Sequence, residues 1–106
     1  MSYVTIAKIQ KTETTFTSVD EAVTDLYSVL TEEIKSKLSQ LKTDGKIVDE
    51  KFEIVSDDNS ILIHTRTFLN KECFIEYVST PEFNIGKDQL TEKGWTIFLM
   101  EQKEDI

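Results

Sequence analysis

Apolar residues between positions 22 and 41 keep a spacing that only a helix turns to one side. Ala22, Val23, Leu26, Tyr27, Leu30, Ile34, Leu38 and Leu41 recur at three- and four-residue steps, while Thr24, Asp25, Glu32, Lys35, Ser36 and Gln40 fall between them. With 3.6 residues per turn, the first set forms one continuous apolar stripe and the second a wet face. Ser18 and Glu21 mark the start as a capping-box pair, each side chain able to satisfy a backbone donor. Asp20 adds negative charge where the helix dipole favours it. Lys42 lies in the last turn, and Gly45 just beyond it can take the left-handed stop conformation. The spacing predicts a helix from about Val19 to about Thr43.

Around that helix the periodicity falls to two. Over 3–10, Tyr3, Thr5, Ala7 and Ile9 share one face and Val4 and Ile6 the other, which reads as a strand followed by a threonine-rich connector anchored by Phe16. Over 47–55, Val48, Phe52 and Ile54 alternate with Asp49, Lys51 and Glu53, a half-buried strand. The cluster Ser56-Asp57-Asp58-Asn59-Ser60 is turn chemistry, so a strand over 61–68 should return as a hairpin. Asn70 can cap a shorter helix over 71–79, with Phe74, Ile75 and Val78 inward and Pro81 closing it. Within 82–94 only a single helical turn, Asp88 to Lys93, is expected. Gly94 precedes a last strand from Trp95 to about Gln102, and the acidic tail is expected to fray. The order is β-α-β-β-α-β, the split β-α-β or ferredoxin-like α+β arrangement, with four antiparallel strands carrying both helices on one face.

At 106 residues there is room for one domain spanning 1–106. Twelve basic against twenty acidic residues give a formal charge of −8, which sets the average surface against nucleic-acid phosphates and anionic membranes. Cys73 is alone, so neither an internal disulfide nor a multi-thiol metal site can form, and no glycine-rich phosphate loop or other cofactor signature occurs. No apolar run approaches the ~20 residues of a membrane helix, and no basic region followed by an apolar stretch opens the chain. A cytoplasmic location is expected.

The strands carry more apolar surface than one face can hide. Trp95, Ile97 and Leu99 point one way and Phe98 and Met100 the other; Ile61 and Ile63 oppose Leu62 and Phe68. Soluble monomers rarely leave such a patch in water. A second copy packed sheet to sheet across a two-fold axis would cover it, making a homodimer. The alternative is that 82–94 folds over the open face.

Two runs carry a resemblance. Ile61-Leu62-Ile63-His64-Thr65-Arg66-Thr67-Phe68 and Phe74-Ile75-Glu76-Tyr77-Val78-Ser79-Thr80-Pro81-Glu82-Phe83 resemble the third strand and short second helix of the dimeric α+β barrel superfamily. That superfamily includes the cofactor-free antibiotic-biosynthesis-monooxygenase-like domains. The resemblance implies a sheet-to-sheet dimer and a pocket between each sheet and its helices, holding a small organic substrate, haem or no known ligand. The Asn, Trp and Tyr residues on which the oxygenase members rely find no residue-by-residue match here, so catalysis is not carried over.

Few side chains stand out chemically. His64, the only histidine, shares a strand face with Leu62, Arg66 and Phe68. One reading makes His64 and Arg66 the polar end of an apolar pocket, Arg66 holding an acidic head group and His64 donating a hydrogen bond or moving a proton. The other pairs Arg66 with a carboxylate such as Glu50 on the neighbouring strand and leaves His64 as filler. Tyr27, Tyr77 and Trp95 suit a pocket wall with polar tips, and suit an ordinary core equally well. Cys73, near a helix start, would have its thiolate favoured, but no second cysteine supports a nucleophile role. Glu32–Glu33 and Asp57–Asp58 read as surface charge and turn chemistry. The sequence therefore points to a homodimeric domain binding a small, largely apolar molecule. A cofactor-independent oxygenase or isomerase is one alternative, and an acidic module for a basic protein partner is another.

Overall fold

Period-two alternation decides which side of each strand is dry, and the structure, a computed structural model describing residues 1–55 and 58–105, shows where each side goes. Strands β1 (Ser2–Lys11), β2 (Ile47–Val55), β3 (Asp58–Phe68) and β4 (Trp95–Asp105) form one antiparallel sheet in the order β2-β3-β1-β4. The inner strand β1 pairs with both β3 and β4. Helices follow β1 and β3 and cover one face, so the fold is ferredoxin-like α+β. Residues 56 and 57, the start of the expected turn cluster, lie outside the described residues, while Asp58, Asn59 and Ser60 already belong to β3.

The described residues form four helices where two and a single turn are expected. The long stripe divides into α1 (Val19–Ser28) and α2 (Glu32–Thr43). Ser28 Oγ donates back to the Asp25 carbonyl at 2.6 Å, and the Val29 N–H reaches Leu26 and Tyr27 in a tightened last turn. Thr31 is then extended, and Glu32 and Glu33 begin the next helix where its dipole favours acids. The apolar spacing continues across this break, which is why it hides there. At the start of α1 only half of the capping box forms: Ser18 Oγ accepts from the Glu21 N–H at 3.1 Å, while the Glu21 carboxylate accepts from the Thr17 hydroxyl instead.

Asn70 caps α3 (Lys71–Val78), its side chain accepting from the Cys73 N–H at 2.9 Å. Pro81 does not merely end that helix; it occupies the first turn of α4 (Pro81–Glu92), where its missing N–H costs nothing, and Thr80 caps it. The segment expected to hold one helical turn is thus a full helix. It packs on the helical side, with Gly86 against Leu30 and Ile34, and leaves the other sheet face open. On α3 the inward set is Cys73, Phe74 and Tyr77; Ile75, expected inward, is 49% exposed. Val48 is likewise exposed rather than buried, because the β2–β3 register shifts between Ile47 and Asp49 and turns Ile47 inward.

The core joins the two apolar surfaces. Leu26, Leu30, Ile34, Leu38 and Leu41 descend from α1, α2 and their link onto Ile9, Ile47, Leu62 and Phe68 of the sheet. Each fully buried aliphatic side chain stabilises by roughly 1.5–3 kcal/mol relative to exposure. At one end Phe16, from the connector, stacks on Trp95 at 5.7 Å; at the other, Phe68, Phe74, Tyr77 and Phe83 form a run of tilted and edge-on rings.

A Cβ at Gly86 would stand 3.5 Å from Ile34 Cγ2 and 3.6 Å from Leu30 Cδ2, ordinary contact. Alanine there removes the entropic cost of a helical glycine without crowding. Urea denaturation should find Gly86→Ala more stable by about 0.5–1 kcal/mol; a loss of stability would mean the helix cannot accept even a methyl group at this wall.

Candidate ligand cavity and its polar end

Small residues at the middle of the sheet make room beneath the helices. Ala7 and Thr5 of β1 stand opposite His64 and Arg66 of β3, and Gly86 presents no side chain from α4. The result is a cavity of about 310 Å³ between sheet and helices. Leu26, Leu30, Ile34 and Leu38 roof it, Ile9, Phe52, Phe68, Ile97 and Leu99 line its floor, and Phe74, Val78 and Phe83 close one side. Lys87 and Glu82 stand among the lining residues on α4. Such a concave, mostly apolar space with a few convergent polar groups is the usual form of a small-molecule site.

The polar groups gather on Glu50. Its position on β2 is opposite Arg66, and Phe52 is opposite His64, so pleat and register alone bring these four side chains to one place. Arg66 donates from Nε at 2.9 Å and from Nη2 at 2.7 Å to Glu50 Oε2. The Tyr27 hydroxyl, from α1, donates to Oε1 at 3.0 Å, and Lys42 Nζ, from the last turn of α2, reaches the same oxygen at 3.2 Å. Arg66 also lies over the Tyr77 ring, 5.3 Å from Cζ to centroid, a cation–π contact. The His64 ring stacks on Phe52 at 4.2 Å and 2°. Its Nε2 stands 3.2 Å from Glu50 Oε2, near enough for a charge interaction but off-line for a hydrogen bond, so that this sealed atom has no hydrogen-bond partner among the described residues.

Charge states follow from these contacts. Burial works against ionising Glu50, but His64 and Arg66 outweigh it and hold the carboxyl well below its ordinary range. Burial lowers His64 below the usual imidazole value, with the Glu50 carboxylate opposing and Arg66 assisting. The imidazole is therefore neutral at pH 7. Burial and the Glu50 carboxylate push the Tyr27 phenol up, so it stays a donor. Among the described residues no three His, Cys, Asp or Glu side chains converge as a metal ion would need.

The structure brings His64, Arg66, Tyr27 and Tyr77 together at the cavity, while Trp95 stands apart. Trp95 is fully buried against Phe16 with Lys11 over its ring, and does not line the cavity. Cys73 is buried at the start of α3. Glu50 is the residue missed as a centre rather than a partner. It falls on the same strand face as Phe52 and Ile54, and an ionisable group on a dry face must find charge and hydrogen bonds.

Removing Glu50 alone strands the Arg66 guanidinium, whose side chain is only 11% exposed. Glu50→Leu should therefore cost about 3–5 kcal/mol, whereas Glu50→Leu combined with Arg66→Met should recover most of the loss. Equal losses in chemical denaturation of both variants would show that the pair does not act as a unit. Acid should weaken the fold in two stages. His64 binds its proton more readily unfolded, so its contribution is full above pH 6.5 and fades below it. Glu50 is depressed in the folded state, so its contribution is full above pH 4.5 and is lost as pH falls further. A stability–pH curve flat from pH 7 to 5 would contradict the first stage.

No protein-family model and no curated protein matches the sequence. Solved structures do match. A candidate antibiotic biosynthesis monooxygenase from Deinococcus radiodurans superposes with a TM-score of 0.63 at 11% identity, over 98% of this chain and 95% of the other. A conserved protein from Methanosarcina mazei gives 0.61 at 15% identity, over 97% and 94%. A protein from Shewanella oneidensis gives 0.62 at 10% identity, over 96% and 88%. At these identities the likeness is one of fold, and the chain shares over nearly its whole length the ferredoxin-like fold of the antibiotic-biosynthesis-monooxygenase-like structures.

Proposed function

We propose that the chain is a homodimeric binding domain that takes one small, largely apolar molecule between sheet and helices, its polar end at Arg66 and His64. The observation that carries the reading is the cavity of about 310 Å³, apolar for most of its wall and closed at one end by the Glu50 cluster. Glu50 already cancels the charge of Arg66. Lys42 on the same carboxylate leaves the cluster with a net positive charge, so the head group is an oxygen acceptor, acidic or neutral.

The dimer is proposed on the open face of the sheet. Val4, Ile6 and Ile63 run along its middle, with Phe98 and Met100 at 64% and 53% exposure on β4. Charges of both signs flank them: Asp49 and Lys103 end one cross-strand row, Lys51 and Glu101 the next. Such a face complements itself across a two-fold axis. A second reading, a cofactor-independent oxygenase or isomerase, is favoured by one observation: a neutral, buried imidazole beside a carboxylate on the cavity wall. Turnover of a bound ligand would separate it from the binder.

Native mass spectrometry of the purified protein should give a dimer carrying extra mass that leaves on denaturation. Phe98→Glu, an exposed position, should give folded monomer. A bare wild-type monomer at micromolar concentration would contradict both the dimer and the ligand.

A further inference from the structure

Lys42 carries a charge that the Glu50 cluster does not use up. Glu50 is a single carboxylate, and Arg66 already places two hydrogen bonds on its Oε2. Lys42 Nζ adds a second cation at Oε1, an oxygen that it shares with the Tyr27 hydroxyl. An ammonium has three donors, so this contact occupies one of them. The Lys42 side chain is 47% exposed and can place the others outward. Two turns earlier on α2, Lys35 is held no more firmly. Its partner Glu32 stands 3.4 Å away on a side chain 89% exposed, a contact of little energetic weight.

Lys35, Leu38, Ser39 and Lys42 recur at three- and four-residue steps, so one face of α2 carries all four. With Tyr27 of α1 they line a hollow of about 230 Å³ on the helical side of the molecule. Tyr27 and Leu38 also border the larger cavity, so the two spaces share a wall. Three cations meet two carboxylates here, in a chain whose formal charge is −8. We propose that this hollow is an anion site, in which Lys35, Ser39 and Lys42 hold a phosphate or sulfate group beside Tyr27. Two ammoniums and a hydroxyl reach from different points of one helix face. That suits a tetrahedral group, with oxygens on every side, better than a flat carboxylate. Lys42 keeps Glu50 Oε1 with one N–H and gives another to the anion, so binding leaves the cluster beneath intact. The site lies away from the open face of the sheet and does not depend on what the cavity takes.

Amide NMR of the full chain at pH 7, titrated with sodium phosphate and separately with sodium chloride at equal ionic strength, tests the proposal. Phosphate should shift the amides of Tyr27 and of Lys35 to Lys42 saturably, and chloride should not. Lys35→Gln should weaken phosphate binding up to about fivefold, the weight of one exposed ion pair. Ser39→Glu, at an exposed helix position, sets a carboxylate into the hollow and should abolish saturable binding with the fold intact. Phenyl phosphate separates the two sources of such a group. Equal or weaker affinity fits the free ion, and tighter binding fits an ester whose ring lies against Tyr27 and Leu38. Absent shifts, shifts that chloride matches, or a phosphate affinity unchanged in both variants would overturn the proposal.

Discussion

A carboxylate that leaves water must find charge and hydrogen bonds at once, and Glu50 finds them on three other elements. Tyr27 comes from α1, Lys42 from the end of α2, and Arg66 and His64 from β3. Burying an ion costs several kcal/mol, so the cluster adds little net stability compared with a well-packed apolar one. Its larger effect is on register. A one-residue slip of β2 against β3 would turn Glu50 to the wet side and leave Arg66 as an unpaired interior charge. The hairpin is thereby pinned where Phe52 meets His64, and the helices above it are tied to the same carboxylate.

That pinning also shapes the cavity. The core is filled at both ends by rings, Phe16 on Trp95 and Phe68 against Phe74, but its middle is bordered by Thr5, Ala7 and Gly86. Larger side chains at these positions would close the space and gain dispersion contacts, since unfilled volume in a core costs stability. The chain instead places an ordered polar cluster beside it. Arg66 is paired, Tyr27 is committed to Glu50 and His64 is held uncharged, so the polar groups at this end of a mostly apolar wall are fixed in place. Cavity and cluster share Tyr27 of α1 and His64 and Arg66 of β3.

The sequence discloses the sheet well because alternation is a local signal. Leu62, His64, Arg66 and Phe68 share a face in the chain and in the fold. Ser18 and Asn70 cap the helices they were expected to cap, for the same local reason. Signals that admit two readings mislead: Thr80-Pro81 starts α4 as readily as it ends α3, and the apolar stripe through Leu26, Leu30 and Ile34 passes across a real break at Val29–Thr31. Val48 leaves the alternation through a register shift, which period-two counting cannot anticipate. At the site, parity placed His64 and Arg66 correctly on one face, but it could not exclude Trp95 from the cavity. Which large residue fills a core and which borders a space depends on what packs above it; Phe16, far away in sequence, decides that for Trp95.

On the proposed function, the space beneath α1 and α2 is a ligand site whose polar end is the cluster around Glu50. A crystal structure of the protein grown with 4-iodophenol tests it most directly, because anomalous scattering marks the iodine and leaves the orientation unambiguous. Iodine is expected among Leu26, Ile34 and Leu38, with the phenol oxygen at the polar end formed by His64, Arg66 and Tyr27. Iodine found only on the outer surface of the sheet, or a phenol oxygen turned away from His64 toward Lys87, would contradict it.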